Sequence, residues 1–518
     1  MPRSITRRNF LASTAALAAI RATAAPASPS VDLDKLPPIA VPGDLAAAMV
    51  EGMHKYLDGC LARGGVPATS KRLHHELLFG SPPEWSQPLR GDNPIKVNAR
   101  SRHELCRLIG AIDERVKSVT LDVVAPVRGS AGPIAKGDDY VVHAVRWPVF
   151  DGVYGEGLLL EPEGKPMARV VAIPDADQTP EMLVGLAPGV FPAGQFARRL
   201  AENGCQVLLP TLIDRQDTWS GNPKLGRMTN QPHREFIYRM AYELGRHIIG
   251  FEVQKVLAAV DWFTKENAKT KLPIGLYGYA EGGLLALYSA TLDDRIEAAV
   301  VSCYFTQRAK VVADEPIYRN VWNLLPHFRD VNLALQAQPA GVVIETCLAP
   351  PVEGPPKPRD GRSGAAPGRL VVPRPEQVRV EMILHQAPAP PKLHHVHSSL
   401  HAGEEPALQA FFEFLGVKDP LKPLGTVLSF LADKPDAEAR QKRQFHQLVD
   451  HTQRLMRQAE SVRQQFFWKN LGGLTPPARL EDFQKSIEPF RKQFSEEIIG
   501  QLPPPTLPPN PRLRPLHD

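Results

Sequence analysis

The residues best placed to do chemistry lie where an apolar strand runs into a glycine-rich turn, Leu276-Tyr277-Gly278-Tyr279-Ala280-Glu281-Gly282-Gly283-Leu284. A strand, Gly-x-Ala-x-Gly-Gly and a helix in that order form a tight, strained turn that lifts its central residue to the top of a sheet. Such a nucleophile elbow normally presents a serine or cysteine for attack on a carbonyl. Here the central residue is Ala280. A methyl group cannot attack a carbonyl, so serine-type acyl transfer cannot run from this position.

The other parts of such a site are also off-pattern. An oxyanion hole needs a backbone N–H from the loop after the Arg169–Ile173 run, and that loop reads Pro174-Asp175-Ala176-Asp177. Two carboxylates beside a developing oxyanion oppose its charge. The acid of a triad should follow the run ending at Ile344, where Glu345 could serve. The base should follow the last strand, where His394, His395, His397 and His401 cluster and His401 is best placed. Glu281 could be a general base in the cleft or a cap on the helix it opens, where negative charge is favoured. Asp175 and Asp177 could bind a sugar hydroxyl or serve as turn residues. Cys303 could be a displaced nucleophile or a buried thiol, and Tyr304 could line the cleft or fill the core. The histidines lack the paired spacing of a zinc site, and neither a metal nor a cofactor motif is present.

The elements that must position these residues are legible from periodicity. Tyr140 to Trp147 and Gly155 to Leu160, split by Asp151-Gly152, read as a β-hairpin. Short continuous apolar runs follow at Arg169–Ile173, Gln206–Leu209, Ile274–Tyr277, Ala298–Val301, Gly341–Ile344 and Leu393–His397. Such runs suit parallel strands buried on both faces. Helical segments alternate with them, the longest expected as one helix from about His233 to Lys265. A hairpin followed by alternating strands and helices predicts a mostly parallel sheet with helices on both faces.

That core is expected over residues 141–417, interrupted at 350–375 by an irregular or disordered loop with eight prolines. Residues 31–140 read as a mostly helical N-terminal region, with Asp44 capping Leu45 to Leu61 and Ser101 preceding a second helix. Residues 418–500 read as an amphipathic helical extension. Its apolar stripe holds Phe445, Leu448, Val449, Leu455, Met456, Ala459, Val462 and Phe466. Residues 501–518, with seven prolines, read as a linker-like tail.

The N-terminus reads as an address. Arg7-Arg8 within Ser4 to Leu11, the apolar run to Ile20 and small residues at 22–27 predict a twin-arginine signal over residues 1–27, and hence a periplasmic or extracellular protein. No segment is long and apolar enough to span a membrane as a helix. A net charge of +5 over 61 basic and 56 acidic residues excludes a nucleic-acid partner read from charge. The five cysteines match no zinc or redox spacing.

On four segments the chain resembles exported proteins of planctomycete type in the dienelactone hydrolase and acetyl xylan esterase-like group. They are Asp151-Gly152-Val153-Tyr154-Gly155-Glu156-Gly157, Pro174–Asp177, Pro210–Arg215 and Gly278–Gly283. The resemblance implies an α/β-hydrolase fold, here with helical N- and C-terminal extensions, and ester hydrolysis on carbohydrate esters. It also implies a second α/β-hydrolase domain as a partner, since relatives continue past a Pro-rich segment like 501–517. With Ala280 at the elbow, the first reading is a non-catalytic module that binds a carbohydrate ester or glycan, or supports a catalytic partner. Two readings stand beside it: an ester hydrolase with an unusual set (Glu281 with Asp177, or Cys303 with His401), and a cell-envelope scaffold using the helix at 437–468.

Overall fold

A hairpin starts the sheet. β1 (Tyr140–Phe150) and β2 (Val153–Pro162) pair antiparallel around the Asp151-Gly152 turn, where Gly152 takes φ +71°, a conformation that favours glycine. Gly155 on β2 makes room for the fully buried Trp147, since a Cβ there would lie 2.2 Å from the indole. Six shorter strands follow: β3 (Arg169–Ile173), β4 (Gln206–Pro210), β5 (Ile274–Tyr279), β6 (Ala298–Ser302), β7 (Gly341–Thr346) and β8 (Leu393–His397). The order across the sheet is β8-β7-β6-β5-β3-β4-β2-β1. Pairings from β4 to β8 are parallel, and β2 joins β4 antiparallel. This is the strand order of an α/β-hydrolase fold, with the elbow at the end of β5.

The computed structural model describes residues 35–39, 43–62, 94–124, 132–325, 327–337, 340–383, 393–464, 479–500 and 512. The expected signal at 1–27 and nearly all of the tail at 501–518 lie outside the described residues, as does Phe466. The described chain falls into two units. The sheet belongs to the unit spanning 64–491; in the other, made of 1–63 and 492–518, Leu45–Ala62 is helical and Asp44 caps it, accepting from the N–H of Ala46 at 2.8 Å.

Strand alternation splits the core into two layers. Val171, Leu208, Leu276, Val301 and Ile344 face one side, under helices α3 (Ile248–Asn267) and α4 (Glu281–Leu292). Val170, Val207, Tyr277, Val300 and Val343 face the other, under α1 (Phe196–Glu202) and α5 (Glu405–Phe414). Each such side chain taken fully out of water contributes roughly 1.5–3 kcal/mol. With both faces covered, the strands need the continuous apolar runs seen in the sequence.

The structure adds to or departs from the expected elements in four places. The segment from His233 is two helices, α2 (His233–Tyr242) and α3. Gly245 turns left-handed at φ +67°, and His247 then caps α3 by accepting from the N–H of Ile249. Apolar periodicity carries across this break because both helices feed the same apolar core. In the 31–140 region, after the helix Pro94–Leu108 come two short strands, Asp122–Val123 and Ala135–Lys136, which join the sheet beside β1. Ser429–Phe430, within the expected helical extension, pairs with the second of these. The Pro-rich stretch at 350–375 is irregular but held in place. Arg359 grips Asp217 in two 2.7 Å bonds, Asn230 donates to the carbonyl of Pro356 at 2.7 Å, and the N–H of Ala366 donates to Glu235 at 2.9 Å.

Helix α6 (Ala437–Arg463) buries residues from Arg440 as far as Thr452. Phe445 and Leu448 are buried, Arg440 makes a two-bond pair with buried Glu181, and Arg443 pairs with Glu156 on β2. Farther along the stripe, Met456 and Val462 are exposed. Among the described residues no helix is long and apolar enough to cross a membrane.

Candidate functional site

The turn between β5 and α4 keeps the backbone of an elbow, with Ala280 at its centre. Ala280 sits at φ 51°, ψ −107°, between the end of β5 and the start of α4. For a residue with a Cβ this region costs on the order of 1–3 kcal/mol and persists only where the surroundings enforce it. The surroundings are backbone packed on backbone. A Cβ on Gly278 would lie 2.0 Å from the carbonyl oxygen of Gly282, and one on Gly282 would lie 2.2 Å from that of Ile173. The N–H of Ala280 donates to the carbonyl of Ser302 on β6 at 2.9 Å. The turn therefore holds the sheet ends together whatever side chain it presents.

The residue after an elbow nucleophile supplies an oxyanion-hole N–H. Here that group is the N–H of Glu281, and it donates to Asp175 Oδ1 at 3.1 Å. Asp175 comes from the loop after β3, where the second donor of the hole would arise. Its carboxylate is gripped by Arg215 through bonds of 2.6 and 3.0 Å. Burial alone would raise its pKa, but the Arg215 guanidinium outweighs burial and holds the carboxyl below the usual range. An anion already occupies the place where a reaction would develop one.

Glu281 is fully buried at the centre of a charge network. Its carboxylate accepts from Arg215 at 3.1 Å, Arg234 at 3.3 Å and Arg319 at 2.9 Å. Burial opposes ionisation, yet the Arg319, Arg234 and Arg215 charges prevail and hold the carboxyl well below the usual range. A carboxylate held by three guanidinium groups is a weakened base. The network runs on through Arg234 to Glu252 at 2.8 Å and through Arg319 to Glu315 at 3.0 Å, and Arg308 joins Glu315 to Asp330. Asp177 flanks it, accepting from the Arg215 side chain at 2.9 Å and main-chain N–H at 3.2 Å.

The acid and base positions do not meet. Glu345 is buried on the α1 and α5 side of the sheet, where Tyr277 Oη donates at 2.9 Å, Ser398 Oγ at 2.5 Å and the N–H of Gly403 at 3.1 Å. Burial raises its pKa against those hydrogen bonds. His401 packs edge-on to Phe191 at 5.2 Å, and its Nδ1 lies 3.0 Å from the carbonyl of Ala402. Among the described residues no hydrogen bond joins Glu345 to His401. Cys303 and Tyr304 are both buried just past β6. Cys303 contacts Cys347 rather than a histidine, and the Tyr304 ring packs 4.4 Å from the Arg308 guanidinium. Thr346 Oγ1 lies between His395 and His397, and the His394 ring packs tilted against Phe414 at 4.7 Å. Among the described residues no three His, Cys, Asp or Glu side chains come together as a metal would need.

The structure thus joins Asp175, Asp177 and Glu281 in one network and leaves His401 and Glu345 with separate partners. Sequence reasoning missed the arginines. Arg215, Arg234 and Arg319 come from a loop after β4, from α2 and from the β6–β7 excursion, so no spacing links them.

Residues 158–317 match the family model described as dienelactone hydrolase family. Among solved structures, a glucuronoyl esterase from Solibacter usitatus is 13% identical, with 65% of this chain and 95% of that chain covered and a TM-score of 0.38. Acetyl xylan esterase 1 from Thermoanaerobacterium sp. is 12% identical, with 62% and 94% covered and a TM-score of 0.35. An acetyl xylan esterase from Paenibacillus sp. is 14% identical, with 68% and 99% covered and a TM-score of 0.36. No curated protein matches the chain. The family-model match thus begins within strand β2, runs past β6 and takes in the elbow, and the strand order around it is that of an α/β-hydrolase fold.

Proposed function

We propose that this chain is a non-catalytic α/β-hydrolase-fold module of an esterase-like system, which binds a ligand or supports a catalytic partner domain. One observation carries the reading: the N–H of Glu281 beside Ala280 is taken by the Asp175 carboxylate at 3.1 Å. Acyl transfer needs a nucleophile and an unoccupied set of donors for its oxyanion. Ala280 removes the first and Asp175 takes up the second. Export by the twin-arginine route belongs to the same reading and rests on residues 4–27.

The test is hydrolysis of p-nitrophenyl acetate and acetylated xylan by the purified protein beside its Glu281→Gln and Cys303→Ala variants. The expected result is no turnover above buffer in any sample. Turnover that disappears in one variant would overturn the reading and identify a relocated catalytic group. Calorimetric titration with acetylated and deacetylated xylan fragments then tests the glycan class that the resemblance implies.

A further inference from the structure

Two thiols meet at the ends of neighbouring strands. Cys303 follows β6 and Cys347 follows β7, and both are buried and free. Their sulfurs lie 2.8 Å apart, and Cys303 Sγ also lies 3.1 Å from the carbonyl of Cys347. Cys303 stands at φ 53°, held there as its N–H donates to the carbonyl of Glu345 at 2.9 Å. A disulfide needs sulfurs about 2.05 Å apart, so closure here asks for a shift of less than an ångström.

We propose that Cys303 and Cys347 form a disulfide site that closes the base of the β6–β7 excursion. The two residues bracket everything between β6 and the end of β7. That excursion carries Arg308, Glu315, Arg319 and Asp330, including the Arg319 that grips Glu281. The oxidant is a small soluble disulfide. One protein thiolate attacks a sulfur of the oxidant, forming a mixed disulfide and expelling one thiolate. The second protein thiolate attacks the protein sulfur of that mixed disulfide and expels the other. The protein loses two electrons and two protons, and the oxidant becomes two thiols. The proposal does not depend on whether the chain is catalytic.

The test treats reduced protein with 2-hydroxyethyl disulfide, once folded and once during refolding from urea, so that restricted access cannot hide the bond. Free thiols are then counted in denaturant, intact mass is measured, and peptides are mapped without reduction. The expected result is a loss of two of the five thiols and of the mass of two hydrogen atoms, with the Cys303 and Cys347 peptides joined. Neither Cys303→Ser nor Cys347→Ser should show the joined peptides. The oxidised wild type should melt roughly 4 °C higher than the reduced form, the shift a long closed loop gives in a unit of this size. Five thiols remaining after both treatments, mixed disulfides only, or a bond mapped to other cysteines would overturn the proposal.

Discussion

Asp175 and Glu281 are joined at the point where an esterase would hold its oxyanion: the carboxylate of the first accepts the backbone N–H of the second at 3.1 Å. The same two residues share Arg215, which reaches Asp175 at 2.6 Å and Glu281 at 3.1 Å. The turn thus carries alanine at its centre and two carboxylates that share one arginine.

Restoring a hydroxyl should not restore chemistry. Ala280→Ser is expected to fold and to leave p-nitrophenyl acetate hydrolysis at background, since no hydrogen bond among the described residues joins His401 to Glu345 and Asp175 takes the Glu281 N–H. A rise of about 10²-fold or more, the size one oxyanion donor is worth, would show that the Glu281 N–H is free to act.

Glu281→Gln should act on stability. The change leaves Arg215, Arg234 and Arg319 facing a neutral amide in a site closed to water. Removing one partner of a buried charge group costs about 3–5 kcal/mol. Urea unfolding should show a lowered midpoint, and an unchanged midpoint would mean that the arginines are balanced by Glu252, Glu315 and Asp175 alone.

Gly282→Ala should be severely destabilising. The added Cβ would lie 2.2 Å from the carbonyl oxygen of Ile173 and 2.6 Å from that of Pro174. Both are main-chain atoms at the sheet end, so no rotamer change relieves the clash. A loss of about 3 kcal/mol or more is expected from such overpacking, read as a drop in denaturation midpoint or in soluble yield.

The pH dependence has two signs. Glu281 and Asp175 have lowered pKa values, so their stabilisation is complete above the unfolded carboxyl pKa and is lost as pH falls below it. Glu381 behaves oppositely. Burial first, and the Asp330 charge second, push its carboxyl up to about 7. It therefore favours the folded state least above that value, where the unfolded chain has released the proton. Glu381→Gln should raise the thermal midpoint at pH 8 and change it little at pH 4. Equal shifts at both would rule out titration as the cause.

The eight longer strands, the hairpin and the elbow are legible in the amino-acid sequence. Continuous apolar runs, Asp-Gly and Gly-x-Ala-x-Gly-Gly are local signals, set by which faces must leave water and where backbone must approach backbone. Ala280 was equally legible, because a missing side chain needs no fold to be noticed. The fate of Asp175, Glu281, Glu345 and His401 was decided only by tertiary structure. Each has charge or hydrogen-bonding capacity that fits a catalytic or a structural role, and its partners are far away in the chain. Arg319 lies 38 residues from Glu281, and Gly403 lies 58 from Glu345. Electrostatic roles depend on distance in space and on burial, and neither is written in local spacing. The break at Gly245 shows the same limit for the backbone: periodicity records which side is apolar and does not record where a helix stops and restarts along that side.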